Sequence, residues 1–568
     1  VEILSFFEKK INKEKNDFRI KQRIILMMLF FCISFFTVVI KISHIATSNV
    51  DMISYSNSAS LLENSRLDIV DRNGDILATN IMTYSLYAHP HEFIDAKLVM
   101  DKLISIFPDL NKKVLKKNLL SERKFVWIKK KLSPEQQELV KDLGEPGLYL
   151  GPRKTRLYPN GSFASHILGG TTFGKESVNH AEIVGSAGVE LFFDEYLKND
   201  DKKNDVLTLS IDLPIQSIVE KVLSSGIKIM NSIGGSAVLI DANNGEIISL
   251  ASFPEFDPNH RPIPLEGEDS SKSPLFNRAA QGLYELGSTF KIFTAAQALD
   301  EGYAEMETII NTKGPLMLGN KPINDFHYYG PSLSLTDVIV KSSNVGTARI
   351  ALDIGSDDQK RFLEKFGFID LTKLELPEAN KAKPMIPSRW SKISTATISY
   401  GHGISVTPVH LAVAYSSLVN GGLKIYPTLI KSEKKEKNTY NLISPQTSYN
   451  LRKILRKVVT NGTAKSANID GYQIGGKTGT ADKVDPINGG YLEDKVRTIF
   501  VSAFPIFDPK YVLVVILDEP EDRHKDIPDR TASATAVPVA TEIIRRIAPV
   551  LGLRPHKDKN YSEEKTLK

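Results

Sequence analysis

The sequence has a single cysteine, Cys32, among 568 residues, so no intrachain disulfide can form and no cysteine-based metal site is available. It also lacks an excess of one charge: 72 Lys and Arg stand against 67 Asp and Glu, a net of +5. A balance this close gives no argument for nucleic acid binding, and there is no basic stripe with interleaved aromatics. The histidines are scattered. Their closest pair, His89-Pro90-His91, carries a proline, lies among turn residues and has no third ligand of recognised spacing, so no metal site is expected there. No internal repeat or low-complexity tract is present. The remaining composition, 41% apolar and 24% charged, is ordinary for a globular chain, with length enough for two to four domains.

Long hydrophobic runs are almost absent as well, with one exception. Ile24 to Ile40 is uncharged and apolar on every face, bounded by Arg23 and Lys41. With its flanks it reaches the roughly 20 residues that a helix needs to cross a bilayer. Lys9, Lys10, Lys13, Lys15, Arg19, Lys21 and Arg23 precede it, whereas after Lys41 the next basic residue is Arg66. The positive-inside rule therefore predicts a single-pass anchor over 24–42, with residues 1–23 cytoplasmic and the remainder outside. A cleaved signal peptide fits less well, because Ser43-His44-Ile45-Ala46 is a poor small-x-small site. One anchor excludes a channel or a transporter.

Residues 43–205 alternate short apolar runs with turns and end on the polar stretch Asn199 to Asp205, read as a linker. From Val206 the character changes. Ser236 to Ser252 predicts a hairpin turning at Asn243-Asn244-Gly245, since Asn and Gly tolerate positive φ. A helix is predicted after Ser288, strands over Thr498–Phe504 and Tyr511–Leu517, and a last helix from Ala536 to Ile547 with Arg545 and Arg546 in its final turns. The tail from His556 is charged and expected to be disordered. The architecture is α+β: an antiparallel sheet with helices over 206–550, an elongated module over 43–205 before it, and a tail over 551–568.

Ser-x-x-Lys is uninformative alone, for it also occurs at Ser121, Ser432 and Ser562 in strongly charged settings. The copy Ser288-Thr289-Phe290-Lys291 differs. A glycine precedes it and the apolar run Ile292 to Ala296 follows. Residues three apart share a helix face. Desolvation favours a neutral amine, and a neutral lysine can take the proton of a serine hydroxyl. The bland alternative is an N-cap serine beside a lysine with its head in water. Two more motifs follow: Ser342-Ser343-Asn344, a type also present at Ser448 and Ser466, and Gly475-Gly476-Lys477-Thr478-Gly479-Thr480, after a strand-like Tyr472-Gln473-Ile474. Glycines in a strand mark close approach, and a cation with two hydroxyls there suits a carboxylate.

In that order the three motifs resemble the S-x-x-K, S-x-N and K-T-G signature of penicillin-binding proteins and serine β-lactamases. The likeness extends over nearly the whole chain and points to class B penicillin-binding proteins, the monofunctional peptidoglycan transpeptidases. Arg66 to Gly74, Arg156 to Pro159, His166 to Gly169 and Gly185 to Glu190 resemble their pedestal, a dimerisation-like module. Asn277 to Ala279, Tyr284 to Gly287 and Tyr400 to Gly422 resemble blocks of their catalytic domain. Leu67, Leu286 and His410 depart from the glycine, proline and glutamine usual in the family. The compact pedestal and short tail are similar to the division-specific, FtsI-type branch, with the elongation-specific branch as the alternative.

The resemblance implies that Ser288 attacks the penultimate D-Ala carbonyl of a stem pentapeptide, with Lys291 as base. Ser342 would relay a proton to the leaving amine and Asn344 would hold the substrate amide. Lys477, Thr478, Gly479 and Thr480 would take the terminal carboxylate, or that of a β-lactam, and the backbone N–H groups of Ser288 and Thr480 would form the oxyanion hole. No metal or cofactor is implied. The expected partners are peptidoglycan stem peptides, β-lactam antibiotics, a SEDS-family glycan polymerase and the division machinery. A D,D-carboxypeptidase or β-lactamase-like hydrolase, or a non-catalytic sensor or scaffold, is the rival reading.

Overall fold

The computed structural model describes residues 23, 25–41, 66–176, 181–199, 201, 205–264, 270–432, 440–485, 489–522 and 529–555. The chain divides into two units, 1–63 and 64–568. In the first, residues 25–41 are helical and their apolar side chains are exposed. Among the described residues no helix is long and apolar enough to cross a membrane. Positions 24 and 42, the ends of the expected anchor, lie outside the described residues, as do most of the 1–23 segment and the tail from His556.

The second unit is built around two sheets. Five antiparallel strands, in the spatial order Gly475–Val484, Tyr491–Phe504, Tyr511–Asp518, Gly234–Asp241 and Ile247–Phe253, form the larger one. Residues of both parities are buried along Gly234–Asp241 and Ile247–Phe253, so the sheet is covered on both faces. Its cover includes Leu213–Ile229 and Ala536–Val550, which pack on each other through Gly226 and Val539, and also Pro408–Val419 and Pro445–Asn461. Gly475–Val484 lies at the sheet edge and has one strand neighbour.

The other sheet is centred on Ile76–Ala88, which pairs with Val126–Leu132, Leu148–Leu157 and Asp68–Val70. Val206–Thr208 completes it, running parallel to Asp68–Val70. Ile69, Leu77 and Leu207 belong to the same core as the larger sheet. The far end has a smaller core of its own, built on Leu86, Leu103, Phe107 and Leu119.

The predicted elements recur with local corrections. The hairpin forms, but only Gly245 in its turn has positive φ. Asp241 Oδ1 accepts from the N–H groups of Asn243 and Asn244 at 2.8 and 3.3 Å, which holds a longer turn with Asn244 on the negative side. Tyr472 to Ile474 is not strand. Gln473 takes φ 36° and the strand starts at Gly475. The last helix runs on to Val550, so Arg545 and Arg546 are not in its final turn. Both pair with Glu542 instead, at 2.6 and 2.7 Å.

Candidate active site

Ser288 sits in a 3-10 turn, Gly287–Phe290, that leads directly into the α-helix Lys291–Asp300. In 3-10 geometry residues i and i+3 eclipse, so Ser288 and Lys291 lie on one side. Ser288 is half-buried and Lys291 is 1% exposed. Backbone packing fixes the turn. Gly287 has φ +50°, and its N–H donates to Gly401 O at 3.2 Å. A Cβ on Gly401 would stand 2.0 Å from Gly287 O, and one on Gly479 would stand 2.6 Å from Leu286 O. The turn is therefore held between a loop and the edge strand, at distances only glycine permits. From the other side, buried Tyr415 donates its hydroxyl to Thr289 O at 2.6 Å.

The structure brings two of the expected residues onto one hydroxyl. Lys291 Nζ donates to Ser342 Oγ at 3.0 Å and to Ser342 O at 2.5 Å, and Lys477 Nζ donates to Ser342 Oγ at 3.0 Å. Ser342 has φ +63°, rare for a residue with a Cβ. Lys477 is fully buried and its remaining bond is to Thr478 O. Desolvation pulls its amine down to about 7. Lys291 is carried well below the usual lysine range, first by burial and then by the neighbouring Lys477 charge, with Asp325 acting in opposition. Neither amine has a carboxylate ion-pair partner within the described residues. Burial thus pushes both amines that flank the serine toward the neutral form.

Contacts along the edge strand alternate. Lys477 reaches Ser342 and Gly479 backs onto Leu286 and Thr289. On the other parity, Thr478 Oγ1 meets Thr463 Oγ1 at 2.6 Å, and Thr480 Oγ1 accepts from Ala532 N–H at 3.2 Å. Thr478 is buried and Thr480 exposed. Asn344 starts the helix Asn344–Ile354, and its Nδ2 donates to Asn324 O at 2.9 Å.

Sequence reasoning missed Asp325. Its carboxylate accepts from Ser343 Oγ at 2.7 Å and from Val345 N–H at 2.9 Å, which clamps the turn that carries Ser342. Glu285 was noted only as part of a block. It accepts from Gly403 N–H at 2.7 Å and from Tyr491 O–H at 3.1 Å, tying the Ser288 turn to two neighbouring segments. The departure at His410 proves conservative. It fills a capping box with Thr407, a place where glutamine serves equally, and burial holds it neutral, down to about 4. Of the other Ser-x-x-Lys copies, Ser121 caps a turn through Asn118 O, while Lys435 and the Ser562 copy lie outside the described residues.

A serine one turn from a buried amine, a second serine between two lysines and a glycine-rich edge strand make an arrangement whose chemistry suits serine acyl transfer. The model of the penicillin-binding protein transpeptidase domain matches residues 235–545, and that of the penicillin-binding protein dimerisation domain matches 62–229. The chain belongs to the penicillin-binding protein transpeptidase family, in its class B form with a dimerisation module ahead of the transpeptidase domain. It is 31% identical over 507 residues to the probable peptidoglycan D,D-transpeptidase FtsI of Caulobacter vibrioides, covering 87% of this chain and 82% of that protein. It is 29% identical to the peptidoglycan D,D-transpeptidase FtsI of Escherichia coli K12, covering 80% of this chain and 79% of that one. In fold it is similar to the crystal structure of a peptidoglycan synthetase from Bifidobacterium adolescentis, with TM-score 0.64 and 20% identity, covering 88% of this chain and 97% of the other.

Proposed function

We propose that this chain is a peptidoglycan D,D-transpeptidase of the division type, cross-linking stem peptides through an acyl-enzyme on Ser288. The observation that carries the reading is the Ser342 hydroxyl 3.0 Å from each of two buried amines, one of them a single turn from Ser288. The FtsI names of the relatives support the septal assignment.

Neutral Lys291 takes the proton of Ser288 Oγ, which attacks the penultimate D-Ala carbonyl. Backbone N–H groups of Ser288 and Thr480 hold the oxyanion, an arrangement supported by the close approach of Gly287 to Thr480 O. Collapse breaks the peptide bond, and Ser342 passes a proton to the departing D-Ala amine. The amino group of a second stem peptide then attacks the ester, and Ser288 recovers its proton. Thr478, Gly479 and Thr480 take the terminal carboxylate at the sheet edge with Lys477 behind them, and Asn344 orients the substrate amide.

The domain limits of the reading are a pedestal over 43–205 and a transpeptidase domain over 206–550. The 24–42 helix anchors the chain in the cytoplasmic membrane with the catalytic domain outside, where its substrate lies. A SEDS-family glycan polymerase and the division machinery are its partners there, and β-lactams acylate the same serine. The test is labelling of the full chain with a fluorescent penicillin. Wild type takes one stable label and Ser288→Ala takes none. Equal labelling of the variant sinks the assignment, and rapid loss of label from wild type favours a hydrolase.

A further inference from the structure

The segment His89-Pro90-His91-Glu92 lies far along the sequence from the catalytic motifs, where the strand Ile76–Ala88 ends. Pro90–Glu92 is a 3-10 turn, and Asp95 then caps the helix Ala96–Ile106. The turn gathers ligand atoms. Glu92 Oε1 stands 3.4 Å from His89 Nδ1 and 3.4 Å from His91 Nε2, and one ligand atom from each of the three residues falls within a 4.8 Å cluster.

At 3.4 Å both contacts stand at the long edge of N–H···O hydrogen bonding, and they converge on one carboxylate oxygen. Around a tetrahedral zinc-class ion with bonds of about 2.0–2.1 Å, neighbouring ligand atoms stand about 3.3–3.4 Å apart. Two of the three edges have that length, and the third is at most 4.8 Å. The carboxylate is also held from outside. Tyr149 donates its hydroxyl to Glu92 Oε2 at 2.5 Å, which leaves Oε1 turned to the histidines. The turn is pinned to the chain by His89 N–H on Gly147 O at 2.9 Å and by Ile94 N–H on Glu145 Oε1 at 2.9 Å. Tyr87 stacks on Tyr149 at 5.4 Å, and the His89 ring lies 4.7 Å from Tyr149, so an aromatic wall backs the cluster. His91 is 57% exposed on its other side, leaving room for water to complete the shell.

We infer that His89, His91 and Glu92 form a binding site in the pedestal for a divalent transition metal of the zinc class. Two imidazoles with one carboxylate favour zinc, cobalt, nickel or copper over magnesium or calcium, which prefer all-oxygen shells. A bound ion ties the turn shut between the strand and the helix, and so stabilises the far end of the pedestal. The cluster shares no residue with the Ser288 site.

The test uses the full chain in detergent, stripped with a chelator and titrated with ZnCl2. Wild type is expected to bind one equivalent saturably, to melt higher with zinc than without it, and to give a visible d–d spectrum with CoCl2. His91→Ala and Glu92→Gln each lose about tenfold or more of the affinity, together with the melting shift and the cobalt spectrum. Glu92→Gln keeps an oxygen for Tyr149, and His91 is exposed, so metal-free melting and penicillin labelling of both variants match wild type. The inference is overturned if zinc leaves the melting of wild type unchanged, or if both variants bind zinc as tightly as wild type.

Discussion

The pedestal buries Arg66 and Arg156 around a carboxylate, whereas the catalytic cleft buries Lys291 and Lys477 around a hydroxyl. In the pedestal, Glu190 takes Arg66 Nε at 2.6 Å and Arg156 Nε at 2.7 Å, and Asp194 takes a second Arg66 nitrogen at 2.7 Å. All but Asp194 are essentially out of water. Buried charges paired with this geometry persist as ions and hold segments together. In the cleft, among the described residues, no carboxylate forms an ion pair with either amine, and burial lowers both pKa values, that of Lys477 to about 7. The same physical cost produces a structural clamp in one region and two lysines with lowered pKa values in the other. Arginine suits the first and lysine the second, since only lysine is readily neutralised.

The largest effect that sharpens this contrast is on the reaction. Lys291→Met is expected to slow acylation by a β-lactam about 10²–10⁴-fold, while melting no lower than wild type because it removes a buried amine that has no ion-pair partner among the described residues. A variant that lost stability along with activity would break the contrast. Next comes the paired side. Glu190→Ala leaves buried Arg156 without its ion-pair partner and Arg66 with Asp194 alone, and is expected to cost about 3–5 kcal/mol by denaturant titration. A cost of about 1 kcal/mol or less, the range of surface pairs, would mean the clamp is incidental. Smallest is Asp325→Asn, expected to slow acylation roughly tenfold, the weight of one hydrogen bond to a charged group. It also has a sign in pH. The Asp325 charge favours the protonated form of Lys291, so its removal lowers that pKa further. The acid limb of acylation rate against pH then moves to lower pH. A limb that stays in place would confine Asp325 to a mechanical role.

Much of the site could be read in the sequence because its chemistry sits in three short strings whose spacing survives any fold. Ser288 and Lys291 are one turn apart, and Lys477 to Thr480 lie on one strand. What could not be read crosses the chain. Asp325 reaches Ser343 and Val345 from a loop, and Tyr415 holds Thr289 from a distant helix; neither contact leaves a local pattern. The left-handed Ser342 and Gln473 are likewise imposed by tertiary packing, against the preference of residues with a Cβ. Glu92 adjoins the histidine pair in sequence, but only the turn at Pro90 brings its carboxylate between them. The hairpin and strands were predictable because alternation and turn residues are local signals, and the helix end at Val550 was not, because Pro549 lies inside the last turn.

The crossing of Gly287, Gly401 and Gly479 sets the position of Ser288 through main-chain atoms. Side chains that line the cleft can therefore change without displacing Ser288, and what the cleft admits can drift while this serine stays in register. The glycines have no such freedom. Mutational variation under selection is then expected to collect on the cleft walls and to avoid the crossing itself.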